Sequence, residues 1–377
     1  MSSITIAPAQ LPTKKLEEWR YTDVASLAAT YKLPATTVAK FAAPSTTTAL
    51  IFVDGTLAHE QLPQGVTISK TARTAKKKSA TPATFFEELA QNISGYKISV
   101  AAGLALAEPL VIECRQRSQA ALIRPRIAIA VGAGSAMQLV ERVIDEPTKH
   151  SLVTTSIAIN IASGAHVSHL IEQVGPSAMS HVQSRTISLK KDARYDLTVL
   201  AWGTKLGRQS VKVQLTEPGA AADLRGVYIS GAGTQSDYQI EVDHQAPDTA
   251  SSQAFRGTIS GTGVGVFSGK ITVRPEATNA RAHQLNKTLL LDVRAQMFTR
   301  PQLQIETDKV KCSHGASIGR ISDESLFYLT SRGLSAEQAR QQLVGAFLRA
   351  DVSGPSGPKA LSIIDAHIAE MQIAREQ

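Results

Sequence analysis

Between about residues 97 and 320 the chain alternates apolar and polar side chains, as in Ile127-Ala-Ile129-Ala-Val131, Ile157-Ala-Ile159-Asn-Ile161 and Val211-Lys-Val213-Gln-Leu215. A period of two marks a strand with one buried face. The last apolar residue of each such strand defines a series, Val131, Ile161, Leu189, Leu215, Val242, Val273 and Ile305, with intervals of 30, 28, 26, 27, 31 and 32. Another apolar residue stands two positions before each member, and a turn former such as Gly132, Gly164, Asp192 or Pro218 follows within a few residues. A second short strand often comes next, as in Met137-Gln-Leu139 and Tyr195-Asp-Leu197-Thr-Val199.

A strand–turn–strand unit of this size cannot bury its apolar face alone, whereas a stack of such units can. The pattern therefore predicts a mainly β protein built as a β-helix, or solenoid, with a narrow apolar interior. A β-sandwich of hairpins is the alternative, and the scarcity of Asn-Gly-type turns weighs against it. Aromatic residues are 5% of the 377, so the interior is expected to be filled by Ala, Val, Ile and Leu. Hydrophobic residues at 43% and charged residues at 19% exclude a disordered chain.

The ends read differently. Residues 1–95 form a mixed α/β region, with an apolar strand over Thr48–Val53 and a short helix after Thr84, capped through Glu87. Residues 96–320 are the β-helix core, and residues 321–377 switch to helical periodicity. Ser322 opens a helix through Leu326, Phe327 and Leu329 that Gly333 stops. Ser335 to Gln338 is a capping box, followed by an expected apolar stripe of Ala339, Leu343, Ala346, Phe347 and Ala350. Gly354-Pro-Ser-Gly-Pro358 breaks this helix, and a last one carries Leu361, Ile364, Ile368 and Met371. These helices could cap the solenoid or present a surface to another protein.

Most catalytic signatures are missing. There is no HExxH, GxSxG or CxxC, and two cysteines, Cys114 and Cys312, exclude a disulfide framework or an all-cysteine metal site within one chain. Gly261-Thr-Gly-Val-Gly-Val-Phe-Ser-Gly269-Lys270 imitates a phosphate loop, but Val264 stands where the first glycine is needed and Ile271 where a hydroxyl must hold magnesium. His166 and His169, three apart in a strand, are expected on opposite faces, and Asp243-His244 is expected as a turn contact. Acidic residues in the repeat are scattered, which leaves a carbohydrate-active β-helix enzyme as a competing class with no catalytic cluster in view. The net charge of +8 is densest over Lys70–Lys78, including Arg73, Lys76 and Lys77, and reads as a solvated loop. No nucleic-acid-binding motif accompanies it, so no nucleic-acid partner is expected. No signal peptide or membrane span is read, and a cytoplasmic location is expected.

One short segment stands out. In Lys311-Cys-Ser-His-Gly315, Cys312 and His314 are two apart on a strand and project from the same face, pairing a soft thiol with an imidazole suited to iron or zinc. A packed cysteine and a hydrogen-bonded histidine are the alternative. Gly315 is expected to permit close approach of another backbone. Two ligands are too few, so a metal or cluster here would need more from a second chain.

With Pro301-Gln-Leu-Gln-Ile-Glu306 before it, and Leu326-Phe-Tyr-Leu329 with Ser331-Arg-Gly333 after it, this segment closely resembles the SufB/SufD family of the Suf iron–sulfur cluster assembly system. Gln284-Leu-Asn-Lys-Thr-Leu-Leu-Leu291, Phe255-Arg-Gly257 and the N-terminal Pro12 to Asp23 fit the same family. Cys-Ser-His in place of Cys-Glu-His favours the SufD branch over a SufB-type subunit. Asp308 is followed by Lys309, where the family often has two acids. The resemblance implies a right-handed parallel β-helix with helical N- and C-terminal regions, acting as a scaffold without turnover of its own. It implies SufB and the ABC-type ATPase SufC as partners, with a homodimer as an option for the isolated chain. It implies a nascent iron–sulfur cluster at the SufB–SufD interface, held in part by His314 with Cys312 beside it, and no cofactor bound by the isolated chain. The helices over about 322–351 become the expected SufC-docking surface, with Phe327, Leu343 and Phe347 as contact residues.

Overall fold

A computed structural model describes residues 3–34, 49–73, 85–91, 93–146, 150–175 and 177–370. The expected Thr84 cap, Thr48, the lysines 76–78 and Met371 lie outside them.

The repeat folds as a parallel β-solenoid of about eight turns. Each turn contributes one strand to each of two long sheets. The last strand of the first sheet is Lys311–Gly319, stacked on Arg281–Leu290, Ala250–Ile259 and so on back to Leu110–Gln116. In the second sheet, Gln296–Ile305 stacks on Val264–Val273, and the ladder runs back to Gly95–Val100. At the N-terminal end both ladders finish in antiparallel pairs, Ala49–Val53 with Thr56–Gln61, and Val66–Thr71 with Gly95–Val100.

The repeat series follows one interior column with a single exception. Val131, Ile161, Leu189 and Leu215 are successive register partners. The next partner of Leu215 is His244, which in turn pairs with Val273, itself paired with Ile305. Val242 is two residues short of the true position, because a histidine fills a site where the pattern expects an aliphatic residue. His244 is a turn contact, as expected, but made from inside the solenoid: it is wholly buried and bonds across the turn, at Nδ1 to the Thr249 hydroxyl and at Nε2 to that of Ser251, both at 2.8 Å. Asp243 faces outward and accepts from Arg274.

The interior also departs from the expected all-aliphatic filling. Tyr228, Tyr238, Phe255 and Phe267 form a buried chain of ring contacts with centroids 5.2–5.5 Å apart. Glycine makes the room: a Cβ on Gly257 would lie 1.9 Å from the Tyr228 ring, and one on Gly226 would lie 2.4 Å from that of Phe255. The phosphate-loop imitation is the strand Val264–Val273, where a Cβ on Gly269 would collide with the Gln284 side chain. Gly265 and Gly269 serve packing, and Gly261 serves the turn before the strand, at φ +56°.

The terminal regions lie along the sides of the solenoid. Residues Ile6 to Tyr31, with helix α1 (Phe85–Gln91), pack Leu11, Trp19, Leu27 and Phe86 onto the outer face of the second sheet at Leu122, Leu152, Val182 and Leu206. The C-terminal helices α2 (Asp323–Ser331), α3 (Ala336–Arg349) and α4 (Gly357–Glu370) begin with the predicted Ser322 cap and Ser335–Gln338 capping box. They do not cap the solenoid. Val344, Leu348, Ala360 and Ile364 instead cover Leu170, Leu200, Trp202 and Val227 on the outer face of the first sheet. The buried stripe of α3 is Ala339, Val344 and Leu348, rotated from the expected one, so that Leu343 is half-buried and Ala346 and Ala350 are exposed. The sheet face selects the bulky pair Val344 and Leu348, an i, i+4 pair on one face.

Candidate functional site

With the helices on the side, the C-terminal end of the solenoid stays open. Gln296–Ile305 and Lys311–Gly319 each pair with one neighbour only, so both sheets end in a free edge. In the preceding turn Ala282, Gln284, Asn286 and Thr288 point inward and are buried. Their register partners in the last turn are Cys312, His314, Ala316 and Ile318. These four have the inward parity of a core, but among the described residues no strand stacks above them. Ile318 is 45% exposed and Ile305, across the opening, 41%.

Cys312 and His314 thus share a face, as the spacing predicts. Cys312 is half-buried at a corner with Leu303 and Val310, beside the buried Ala280 and Ala282. Burial pushes its thiol upward, and a backbone hydrogen bond at Ala282 opposes the shift. His314 is exposed and stands one turn above Gln284. Gln284 donates to the Gln253 side-chain oxygen at 2.7 Å, while its own buried Oε1 has no protein partner. Ser313 points to the outer face, where its hydroxyl meets His283 Nδ1 at 2.8 Å. Gly315 needs no close backbone approach within the chain, since a Cβ there would make one ordinary contact, with Leu285 at 3.4 Å.

Among the described residues no group of three or more His, Cys, Asp and Glu side chains is placed to hold a metal ion. Cys312 and His314 offer a soft and a borderline donor, which fits iron chemistry as part of a coordination shell. His166 and His169 fall on opposite faces as expected: His166 pairs with Asp196 at 2.6 Å outside, and His169 is buried inside. Cys114 is sealed in the interior, where burial drives its thiol far upward, and it is unsuited to bind or react.

Sequence reasoning missed an ionic cluster inside the solenoid. Arg185, wholly buried, donates to Glu141 at Nε (3.0 Å) and again at Nη2, and to Gln209 and Gln183 at 2.6 and 2.9 Å. His169 lies 3.5 Å from Glu141 and bonds Tyr195 at 2.9 Å. Burial alone would raise the Glu141 carboxyl, but Arg185 and His169 override it and hold it at about 2. The signal was present in the alternation, since Arg185 has the parity of the inward Ile187 and Leu189.

The expected docking residues separate. Phe327 is 74% exposed on α2, next to Tyr328, whose ring lies 5.4 Å from the Arg332 guanidinium. Phe347 is already engaged: the Arg256 guanidinium sits 4.9 Å from its ring and pairs with Asp351. No helix among the described residues is long and apolar enough to cross a membrane.

Residues 114–347 match the family model described as the SufBD core domain of SUF-system FeS cluster assembly. The chain belongs to the SufBD family. The matched span runs from the early turns of the solenoid through the open end and into α3. The chain is similar to SufD of Escherichia coli, 27% identical over 360 residues that cover 89% of this chain and 84% of the relative. An iron–sulfur cluster assembly SufBD family protein of Synechocystis is 25% identical over 373 residues, 90% of this chain and 82% of the relative. One from Mycobacterium leprae is 33% identical over 189 residues, 48% of each chain.

Proposed function

We propose that this SufBD-family chain is a SufD-type scaffold subunit without turnover of its own. In this reading its open solenoid end meets a SufB-type paralogue and α2 docks a SufC-type ATPase. The observation that carries it is the terminal turn, where Cys312 and His314 stand on an interior face on which no further strand stacks among the described residues. A second solenoid placed end to end would continue both sheets and bury Ile305 and Ile318. It would also bring the missing ligands to His314. The Cys312-Ser-His314 order supports the SufD branch.

The cluster is cargo in this scheme. ATP binding draws two SufC-type subunits together, the helical ends of both scaffold chains follow, and the end-to-end interface opens. His314 and thiolates of the paralogue then take iron and sulfide. The test is His314→Ala in the reconstituted complex with its paralogue and ATPase. Iron and acid-labile sulfide content should fall to background while size-exclusion chromatography still shows the whole complex. Unchanged cluster content would remove His314 as a ligand.

A further inference from the structure

The outer face of the first sheet carries a second, unrelated feature. At the start of its strands one column of register partners reads His166, Arg194, Ala221, Ala250, Arg281, Lys311. The two alanines leave a gap between Arg194 and Arg281, which are three turns apart, about 14 Å at the ordinary strand spacing. The gap is the floor of a groove of about 560 Å³, within the range of small-molecule sites. Arg194, Arg281 and Lys311 are exposed on its rim, and no ion pair holds any of them among the described residues. Elsewhere on the solenoid Arg142, Arg225, Arg256 and Arg274 pair with carboxylates.

The neighbouring outward column reads Asp196, Asp223, Ser252, His283, Ser313. Asp196 is bonded to His166, and Asp223 to Arg225. Each carboxylate keeps an oxygen that these bonds do not use. The groove therefore sets cations along one side and hydrogen-bond acceptors and hydroxyls along the other. Guanidinium and ammonium groups recognise phosphate, and paired carboxylates recognise sugar hydroxyls.

We propose that this groove binds a phosphorylated sugar, free or as part of a nucleotide, with phosphate between Arg281, Lys311 and Arg194 and its hydroxyls toward Asp196 and Asp223. The groove borders the terminal turn, since Cys312 is among the residues that line it, while His314 is not.

Isothermal titration of the full chain with ribose 5-phosphate, ADP and inorganic phosphate tests this. One saturable site per chain is expected for ribose 5-phosphate or ADP, and the tighter of the two identifies the source. Arg281→Ala and Arg194→Ala should each weaken binding by roughly tenfold or more, the loss typical of a charge-assisted contact. Ala250→Asp, which fills the gap with a negative charge, should abolish it, and circular dichroism checks that each variant is folded. Lys359→Ala, on the exposed face of α4, controls for the overall positive charge and should change nothing. Three results would each overturn the proposal: no saturation by either ester, equal weakening by Lys359→Ala, or inorganic phosphate binding as tightly as the esters.

Discussion

His314 stands directly above Gln284 in the first sheet, and Gln284 in turn hands a hydrogen bond down to Gln253 at 2.7 Å. The imidazole that the proposal places on the cluster is the top of a polar column inside the solenoid. Gln284→Leu keeps bulk but leaves Gln253 without its donor. It should cost about 1–3 kcal/mol of stability by urea denaturation, the penalty of a stranded buried polar group. Cluster content should fall less than in His314→Ala, because the ligand itself remains.

The Glu141–Arg185 pair is the most consequential buried contact. Glu141→Leu leaves Arg185 charged and unpaired in the interior and should destabilise by about 3–5 kcal/mol. Glu141→Leu combined with Arg185→Met should recover most of that loss in thermal melts, since an apolar pair of similar size suits a solenoid core. The folded-state pKa of Glu141 lies below its unfolded value, at about 2. Its contribution is therefore complete above the unfolded value of about 4.5 and disappears as pH falls toward 2.

His244 produces a second acid sensitivity in a different window. Burial holds its folded pKa down at about 4, below the ordinary 6.5. Between those values the unfolded chain binds the extra proton, so stability falls as pH drops from 6.5 to 4, by up to about 3 kcal/mol. His244→Leu, which restores the residue type of its register partner Leu215, should flatten the urea midpoint across that range. An unchanged slope would contradict the assignment.

Phe327 contributes almost nothing to the fold, being 74% exposed. Phe327→Asp should leave the melting temperature within about a degree, as for most exposed positions. Co-purification with a SufC-type ATPase should be lost. Phe347→Ala should do the opposite and lower stability, because it removes the ring beneath Arg256.

Much of this architecture was legible in the alternation of strands such as Ile157–Ile161, because inward parity survives from turn to turn. The spacing of Cys312 and His314 also predicted their shared face. What escaped were the exceptions to apolar filling. Arg185 and Tyr228 occupy inward positions because Glu141, Asn286 and Thr288, on other turns and distant in the chain, satisfy them, whereas His244 is satisfied locally, by Thr249 and Ser251 just beyond its own strand. Placement of α3 and α4 was hidden for a similar reason. Their apolar faces fit an end or a side equally well, and only Trp202, Leu200 and their neighbours on the outer sheet decide it.

The N-terminal segment has a consequence for how such a chain can change over time. Thr22 is bonded to Asp237, Arg208 spans from Trp19 to the same aspartate, Glu17 pairs with Arg300, and Tyr21 stacks on Phe298 with ring centroids 4.2 Å apart. These contacts fall on three turns, those of Arg208, Asp237 and Phe298, while Leu122 and Leu152 anchor the same segment near the other end. A stacked-turn protein can ordinarily gain or lose a unit with little harm, since each unit touches only its neighbours. Here a strap of fixed length is fastened at both ends and in the middle. It acts as a ruler, and the number of turns between Leu122 and Phe298 cannot change without tearing it loose.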